Sequence, residues 1–529
     1  MKRRSFLQAA SGGAMLLAAP HIASAQKAQA LKFVPQADLA VLDPVFVTAY
    51  VTRNHAFMVF DTLYGLDEQY QPHPQMVEGH TVEDDGKLWV LTLRDGLMFH
   101  DGSKVLARDA VASIRRWAGR DAFGGSLMAA TDELSAPSDK EIRFRLNKPF
   151  PTLPLALGRG SNAMLPVMPE RLANTPGSRQ VTEMVGSGPY RFIASERVSG
   201  SLAVYQRFDG YVPRTSGVSS FTAGPKVAHV ERVEWHTIPD AATAAAALQA
   251  GEVDWWEQPT VDLLPLLQKD RNVTTEVLDP AGNIGFLRIN ALYPPFDNPA
   301  IARALLGGID QVDFMQAVVG SDPHLWHVPA GVFTPGTPLA TDAGMAAITA
   351  KPDYDKVKRA LDAAGYRGEK VVFLAATDFP AINALCEVSG DMFRKSGLNL
   401  DYQSTDWGTV ITRRNSQEPP DKGGWNAHCT YTAGYDCLNP GSNPSLNAIG
   451  RAGYVGWPTN PKLAALRASW FDAPDLAAQQ AICAQIQTEF MQAPPYYPLG
   501  QFFQSTAYRK TVTGIPRGAF SLFWNIRMT

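Results

Sequence analysis

Cysteine is scarce in this chain, with four residues in 529, at positions 386, 429, 437 and 483. They are too few for a disulfide scaffold, and they lack the paired two-residue spacing of a zinc knuckle. Long apolar runs are also missing: beyond the first 25 residues no stretch is long enough to cross a bilayer as a helix. The common catalytic signatures are absent. There is no Gly-x-x-x-x-Gly-Lys phosphate loop, no His-Glu-x-x-His and no Gly-x-Ser-x-Gly elbow. Internal repeats and low-complexity tracts are not found, and positive charge is not in excess. With a formal charge of -3 at pH 7, nothing electrostatic draws the chain to nucleic acid or anionic lipid.

What is present begins with Lys2-Arg3-Arg4-Ser5-Phe6-Leu7-Gln8, a short apolar stretch from Ala9 to Ala19, and Ala23-Ser24-Ala25 before Gln26. This reads as a signal peptide over residues 1–25, and its paired arginines resemble the twin-arginine type. Gln26 stands where a lipoprotein would carry its acylated cysteine, so the mature chain is expected free and soluble in a periplasm. Losing the leader removes three basic residues and no acid, which takes the formal charge to -6. With 45% hydrophobic residues over this length, two or three domains are expected. A chain that folds before export needs no disulfide to fold. A bridge between Cys429 and Cys437, in a Gly/Asn/Pro-rich stretch, could still form afterwards. Cys386 and Cys483 sit in amphipathic helical patterns and read as buried thiols.

Local signals divide the chain. Residues 32–35 read as a strand, followed by the turn Leu42-Asp43-Pro44 and a helix toward Phe60. Trp89 to Leu93 and Glu141 to Leu146 alternate as half-buried strands, with an amphipathic helix from Ala107 to Trp117 between them, which gives an α+β unit. A Pro/Gly-rich stretch from Pro166 to Pro189 marks a boundary near residue 180. Asp240 caps an alanine-rich helix that Gly251 stops, ahead of a strand at Val253 to Trp256. Asn298-Pro299 and Asp353 open further helices. Strand Lys370 to Ala376, helix Pro380 to Ser396 and strand Asn399 to Ser404 form a βαβ unit, which implies a parallel sheet. Helices over 461–471 and 475–491 lead to the prolines at 494 and 495.

Three patterns invite a chemical reading and lose it on inspection. Gly186-Ser187-Gly188-Pro189-Tyr190 looks like a nucleophile turn, but Pro189 blocks the helix such a turn needs. His324 and His327 form a pair between Pro323 and Pro329, two ligands without a third. Gly282 and Gly285 precede a strand, the wrong order for a dinucleotide turn. What remains is a set of aromatic and charged residues at strand ends and in loops: Trp255, Trp256, Glu257, Gln258, Trp407, Arg414, Trp425, Tyr431, Tyr435 and Asp436. Such places line clefts in α/β proteins and suit a small organic ligand. The competing reading is core filling, expected for about half of the aromatics because tryptophan is usually buried.

Several segments, in order along nearly the whole chain, resemble family 5 of the extracellular solute-binding proteins, the dipeptide, oligopeptide, opine and nickel type that serves ABC importers. They are WVLTLRDGLMFHDGSKVLARD from Trp89, GSGPY from Gly186, ALQAGEVD from Ala247, FLRINALYPPFDNPAIARALLGGID from Phe286, residues 354–366 and residues 494–499. The resemblance implies an α/β two-lobe clamp, the type II, cluster C periplasmic binding protein fold, with an additional α+β domain. One lobe would comprise residues 26–62, 180–285 and 495–529, the other 286–494, and the additional domain 63–179. The crossings near 283–290 and 494–500 would be the hinge.

By the same resemblance, Thr48, Ala49 and Tyr50 form a first pocket segment and Trp255, Trp256, Glu257 and Gln258 a second. Asn283 stands where some members carry a bridging cysteine, and is included. Trp407 leads to Arg414 at the spacing where peptide binders hold an arginine for a ligand carboxylate. Peptide-binding members hold an amino terminus with an aspartate after a tryptophan; residues 430–439 offer Tyr431 and Asp436 without that tryptophan. The implied function is a periplasmic binding protein, acting as a monomer without cofactor or metal. It would capture a short peptide or related zwitterionic solute and deliver it to an ABC permease and ATPase. The alternatives are a periplasmic hydrolase or a chemoreceptor-linked binding protein on the same clamp.

Overall fold

A computed structural model describes residues 30–160 and 164–529. The expected signal peptide, residues 1–25, lies outside the described residues. Where the sequence marks helix starts, side chains cap them. Asp240 accepts from the Thr243 amide, Asn298 from Ala300, Asp353 from Lys356 and Asp475 from Ala478. Each cap satisfies an amide that has no partner inside its helix. The helices that follow are Ala241–Ala250, Pro299–Leu305, Tyr354–Ala363 and Leu476–Gln492.

Two large sheets organise the molecule. The first has seven strands in the order Val273–Glu276, Thr506–Arg509, Trp255–Trp256, Leu31–Val34, Arg232–His236, Leu202–Arg207, Tyr190–Phe192. Its centre, Leu31–Val34, is parallel to both neighbours, and the outer pairs are antiparallel. One face packs Phe33 against Trp235, Trp255 and Phe523 in edge and tilted contacts with centroids 4.8–5.5 Å apart. The second sheet has six strands, in the order Trp326–His327, Tyr496–Phe502, Asn283–Ile289, Ala427–Ala433, Lys370–Ala376, Asn399–Thr405. The last two are parallel over all seven residue pairs, as the βαβ spacing predicts, with helix Pro380–Lys395 as the crossover. Phe286 stacks on Tyr496 at 4.1 Å inside this half.

The chain leaves the first sheet after Glu276, enters the second at Asn283, and returns between Phe502 and Thr506. The expected boundary at residue 495 therefore falls one strand early. Pro494 and Pro495 do follow the end of a helix, but the buried strand Tyr496–Phe502 comes next, inside the second sheet. The two crossing segments touch. Gly282 has φ +56°, and a Cβ there would meet the Phe502 carbonyl oxygen at 2.6 Å, so only glycine lets the chains pass. The Asn283 side chain donates to Gln504 Oε1 at 3.1 Å across the same crossing.

A third, antiparallel sheet, Val77–Glu83, Leu88–Leu93, Glu141–Leu146 and Thr131–Ser135, packs with helix Ala107–Ala118. It is tied to both halves. Arg116 forks onto Asp43 at 3.1 and 2.6 Å, fully buried, and Phe150 stacks on Phe471 at 5.6 Å.

The bridge between Cys429 and Cys437 is not formed: all four cysteines are buried free thiols. Cys429 is not in a loop but mid-strand, in Ala427–Ala433, with its Sγ 3.1 Å from Ser389 Oγ of the crossover helix. Cys437 ends a short 3-10 turn and faces Asn443. The two thiols are turned toward different neighbours. Ser187 is structural: its Oγ donates to the Val167 carbonyl and accepts from the Asp61 amide, and Gly186 sits where a Cβ would come within 2.0 Å of the Val59 oxygen.

Candidate functional site

The cleft between the two large sheets holds a cavity of about 440 Å³, and a smaller one of about 70 Å³ adjoins it through Gln36, Tyr50 and Tyr431. Most of the expected residues gather here. Thr48, Ala49, Tyr50, Trp407, Arg414, Tyr431 and Asp436 line the larger cavity; Glu257, Gln258 and Asn283 line the smaller. Trp255 and Trp256 do not. They alternate across a strand, so each enters a core. Trp255, 0% exposed, lies among Phe33 and Phe523 with its Nε1 donating to Thr506, and Trp256 packs on Ala244, Ala245 and Leu248. This is a correction to the expected second pocket segment, which begins at Glu257.

The first wall is the start of helix Tyr50–Val59. The Tyr50 hydroxyl accepts from the Ala433 amide at 2.8 Å and donates toward Asp436 Oδ2 at 3.3 Å, which joins the helix to the strand and turn on the other side of the cleft. Burial, with the Asp436 charge adding, holds the Tyr50 phenol neutral, far above its ordinary pKa. Arg53, one turn on, lies over the Tyr50 and Phe520 rings at 4.7 and 4.1 Å and donates to Asn54 Oδ1. Its Nη1 is buried without a hydrogen-bond partner. Burial lowers its pKa, and the Tyr50, Asp436, Glu257 and Asp279 groups oppose that shift.

Glu257 is less available than its position suggests. Its carboxylate accepts from Asn54 Nδ2 at 2.6 Å, the Gln36 amide at 2.8 Å and Ser521 at 3.1 Å. Most of its acceptor capacity is thus used in holding the wall together. Asp279, which sequence reasoning missed, lines the smaller cavity. Burial pushes it up to about 7 although the Ala281 amide donates to it. Its neighbours in the sequence, Leu278 and Pro280, gave no signal.

The opposite wall comes from the second sheet and helix Trp407–Arg413. Arg414 closes that helix and sits 5.7 Å from the Trp407 ring, with its Nε buried and unpartnered. Phe379 stands edge-on to Trp407 and to Tyr431. Arg288, also missed, projects from strand Asn283–Ile289 into the same cavity. It is 5% exposed, and its Nη1 donates to Ser445 Oγ at 3.0 Å and the Val455 carbonyl at 3.2 Å. A signal for it did exist: an arginine in an otherwise apolar strand, FLRI, is costly unless it has a purpose. His428 lies fully buried behind both arginines. Burial first, then the Arg414 and Arg288 charges, keep it neutral. Acids act on Arg53, whereas the groups that act most on Arg288 are Arg414, Tyr454, Tyr496 and Cys437, and Asp436 lines the cavity that Arg288 and Arg414 share.

This architecture has counterparts. Residues 71–434 match the bacterial extracellular solute-binding proteins, family 5 (middle). The chain belongs to that family. A probable peptide ABC transporter periplasmic-binding protein of Sinorhizobium fredii is 35% identical over 532 residues, covering 100% of this chain and 99% of that one. Among solved structures, the Agrobacterium tumefaciens binding protein AgaA in complex with agropinic acid superposes with a TM-score of 0.77 at 18% identity, covering 95% of this chain and 99% of that one. The Helicobacter pylori binding protein DppA in complex with the peptide STSA gives 0.77 at 19% identity, covering 94% and 98%. At such identities the structures speak for the fold, the two-lobe clamp. Among the described residues, no helix of this family member is long and apolar enough to cross a membrane.

Proposed function

We propose that this chain is the exported, periplasmic, monomeric substrate-binding component of an ABC importer. It captures a small zwitterionic solute, a short peptide or a related amino-acid derivative, and presents it to a permease and ATPase in the inner membrane. The observation that carries this reading is the polarity of the cleft. Asp436, reached across the cleft by the Tyr50 hydroxyl, and Arg414, with a buried unpartnered nitrogen, both line the larger cavity from the second-sheet wall, so that cavity offers an acid and a cation to one solute. Asp436 receives an ammonium, Arg414 a carboxylate, and Tyr50, Trp407 and Tyr431 pack on the body between them. The description of the Sinorhizobium relative supports peptide as the solute class.

The crossings between the two sheets support a division into lobes. Residues 30–62, 180–282 and 503–529 form one, residues 283–502 the other, and residues 63–179 the additional domain. The hinge lies at 277–282 and 503–505. A solute that contacts both walls favours the closed arrangement by its greater affinity for it. The test is calorimetric titration of the purified protein with a panel of dipeptides and N-substituted amino acids, with the recovered solute checked for turnover. One-to-one binding with the solute recovered intact supports the reading. A hydrolysed product, or no binding across the panel, refutes it.

A further inference from the structure

Arg288 and Phe286 alternate onto the cleft face of their strand, and both line the larger cavity with Arg414. Three other buried cations pair with acids, Arg116 with Asp43, Arg159 with Asp121 and Lys226 with Asp61, at 2.6–2.7 Å, while Arg53 has Asn54 and two rings, with the acids Asp436, Glu257 and Asp279 acting on it. Arg467, buried away from the cleft, is held by the Pro440 and Gly441 carbonyls. Arg288 has none of these arrangements in full. One nitrogen is anchored by a hydroxyl and a carbonyl, and the rings of Tyr454, Tyr496 and Phe286 lie 5.0–5.8 Å from its guanidinium carbon. Among the described residues no acid forms an ion pair with it or with Arg414; Asp436 lines the same cavity and meets the Tyr50 and Thr432 hydroxyls.

We infer that the cleft selects a ligand bearing two carboxylates at the end that meets the second sheet, one for Arg414 and one for Arg288. This rests on the reading of the cleft as a zwitterion site and names the class of zwitterion. A guanidinium takes a carboxylate through two parallel hydrogen bonds, so two guanidiniums that form no ion pair take two carboxylates. A ligand with a single carboxylate leaves one desolvated cation unpaired when the walls close on it, and that penalty makes the discrimination. Ser445 fixes the Arg288 fork, and the Tyr454 ring backs it. The chemistry fits a peptide ending in aspartate or glutamate.

Calorimetry with L-alanyl-L-glutamate and L-alanyl-L-glutamine tests this, since the two differ by one charge at constant shape. The native chain is expected to bind the glutamate peptide at least tenfold more tightly, and Arg288→Gln, which keeps a donor for Ser445, to level the two. Arg414→Gln, at a half-buried helix end, serves as the second variant and is expected to narrow the difference as well. Equal affinities in the native chain overturn the inference while leaving the zwitterion reading intact. If neither peptide binds, thermal shifts with succinate and acetate decide. Protection of the native chain by succinate above acetate, lost in Arg288→Gln, keeps the two-carboxylate site and removes the peptide reading. Equal protection by the two acids, or none, overturns the site.

Discussion

Replacing Tyr50 by phenylalanine removes one oxygen from the only wall residue whose hydroxyl is seen to join the two sides of the cleft among the described residues. That oxygen accepts from the Ala433 amide at 2.8 Å and reaches Asp436 at 3.3 Å. A net hydrogen bond contributes about 0.5–1.5 kcal/mol, and an amide left buried without its acceptor costs about 1–3 kcal/mol. The Asp436 contact is long, so it adds little. If the bonds form when the lobes close, the whole loss falls on the closed arrangement, and affinity drops by about 1–3 kcal/mol, or roughly 5- to 150-fold. The phenyl ring still lies against Arg53, so ligand-free stability is expected to change much less than affinity. The assay pairs calorimetry on a ligand identified in the dipeptide panel with small-angle scattering of the ligand-free and ligand-saturated protein. The variant should saturate to the same compact radius but at higher concentration. An affinity within twofold of the native chain would refute the latch, because it would mean that the bonds do not distinguish closed from open.

Trp255→Ala is expected to destabilise by about 3–5 kcal/mol through cavity formation, with ligand affinity unchanged at temperatures where the protein stays folded. A selective loss of affinity in denaturant-free calorimetry would return Trp255 to the cleft. Asp279 titrates near 7 when folded and near 3.9 when unfolded, so the native state binds the proton more tightly. Its contribution lowers stability as pH rises from about 4 to about 7, by an amount on the order of 2–4 kcal/mol. Asp279→Asn should therefore match the native chain near pH 4 and exceed it at pH 8 in urea titrations, and a pH-independent difference would contradict this. Peptide mapping of the exported protein without reductant should recover Cys429 and Cys437 as separate thiols, and a crosslinked peptide would overturn the placement of Cys429 in a buried strand.

Much of the fold is written in local signals. Asp240, Asn298, Asp353 and Asp475 announce helix starts because an amide without a helical partner needs a short acceptor wherever the helix lies in the molecule. The βαβ segment is legible because its apolar period changes from two to 3.6 and back within one unit. The break at Pro494-Pro495 misled for a related reason: proline ends a helix locally, whereas membership of a sheet is settled by partners far along the chain, here Asn283–Ile289.

The site was legible only in part, and the failures share one cause. In a strand, a shift of one residue exchanges faces, so Trp255, Trp256 and Glu257 differ in fate although they are adjacent: two enter cores on opposite faces, and the third reaches the cleft at the strand end. The resemblance places the segment but does not choose among its faces. Arg288 is the converse case. Its strand shares the face assignments of Phe286 and Leu287, and parity alone sets the arginine beside Phe286 on the cleft side. A charge in that position is met by an acid from the protein, by carbonyls that hold it as they hold Arg467, or by an anion from outside. In this chain the acids of the cleft, Asp436, Glu257 and Asp279, act on Arg53 instead. On the proposed reading, which cation the acids act on, more than the number of charges in the cleft, orients a bound solute.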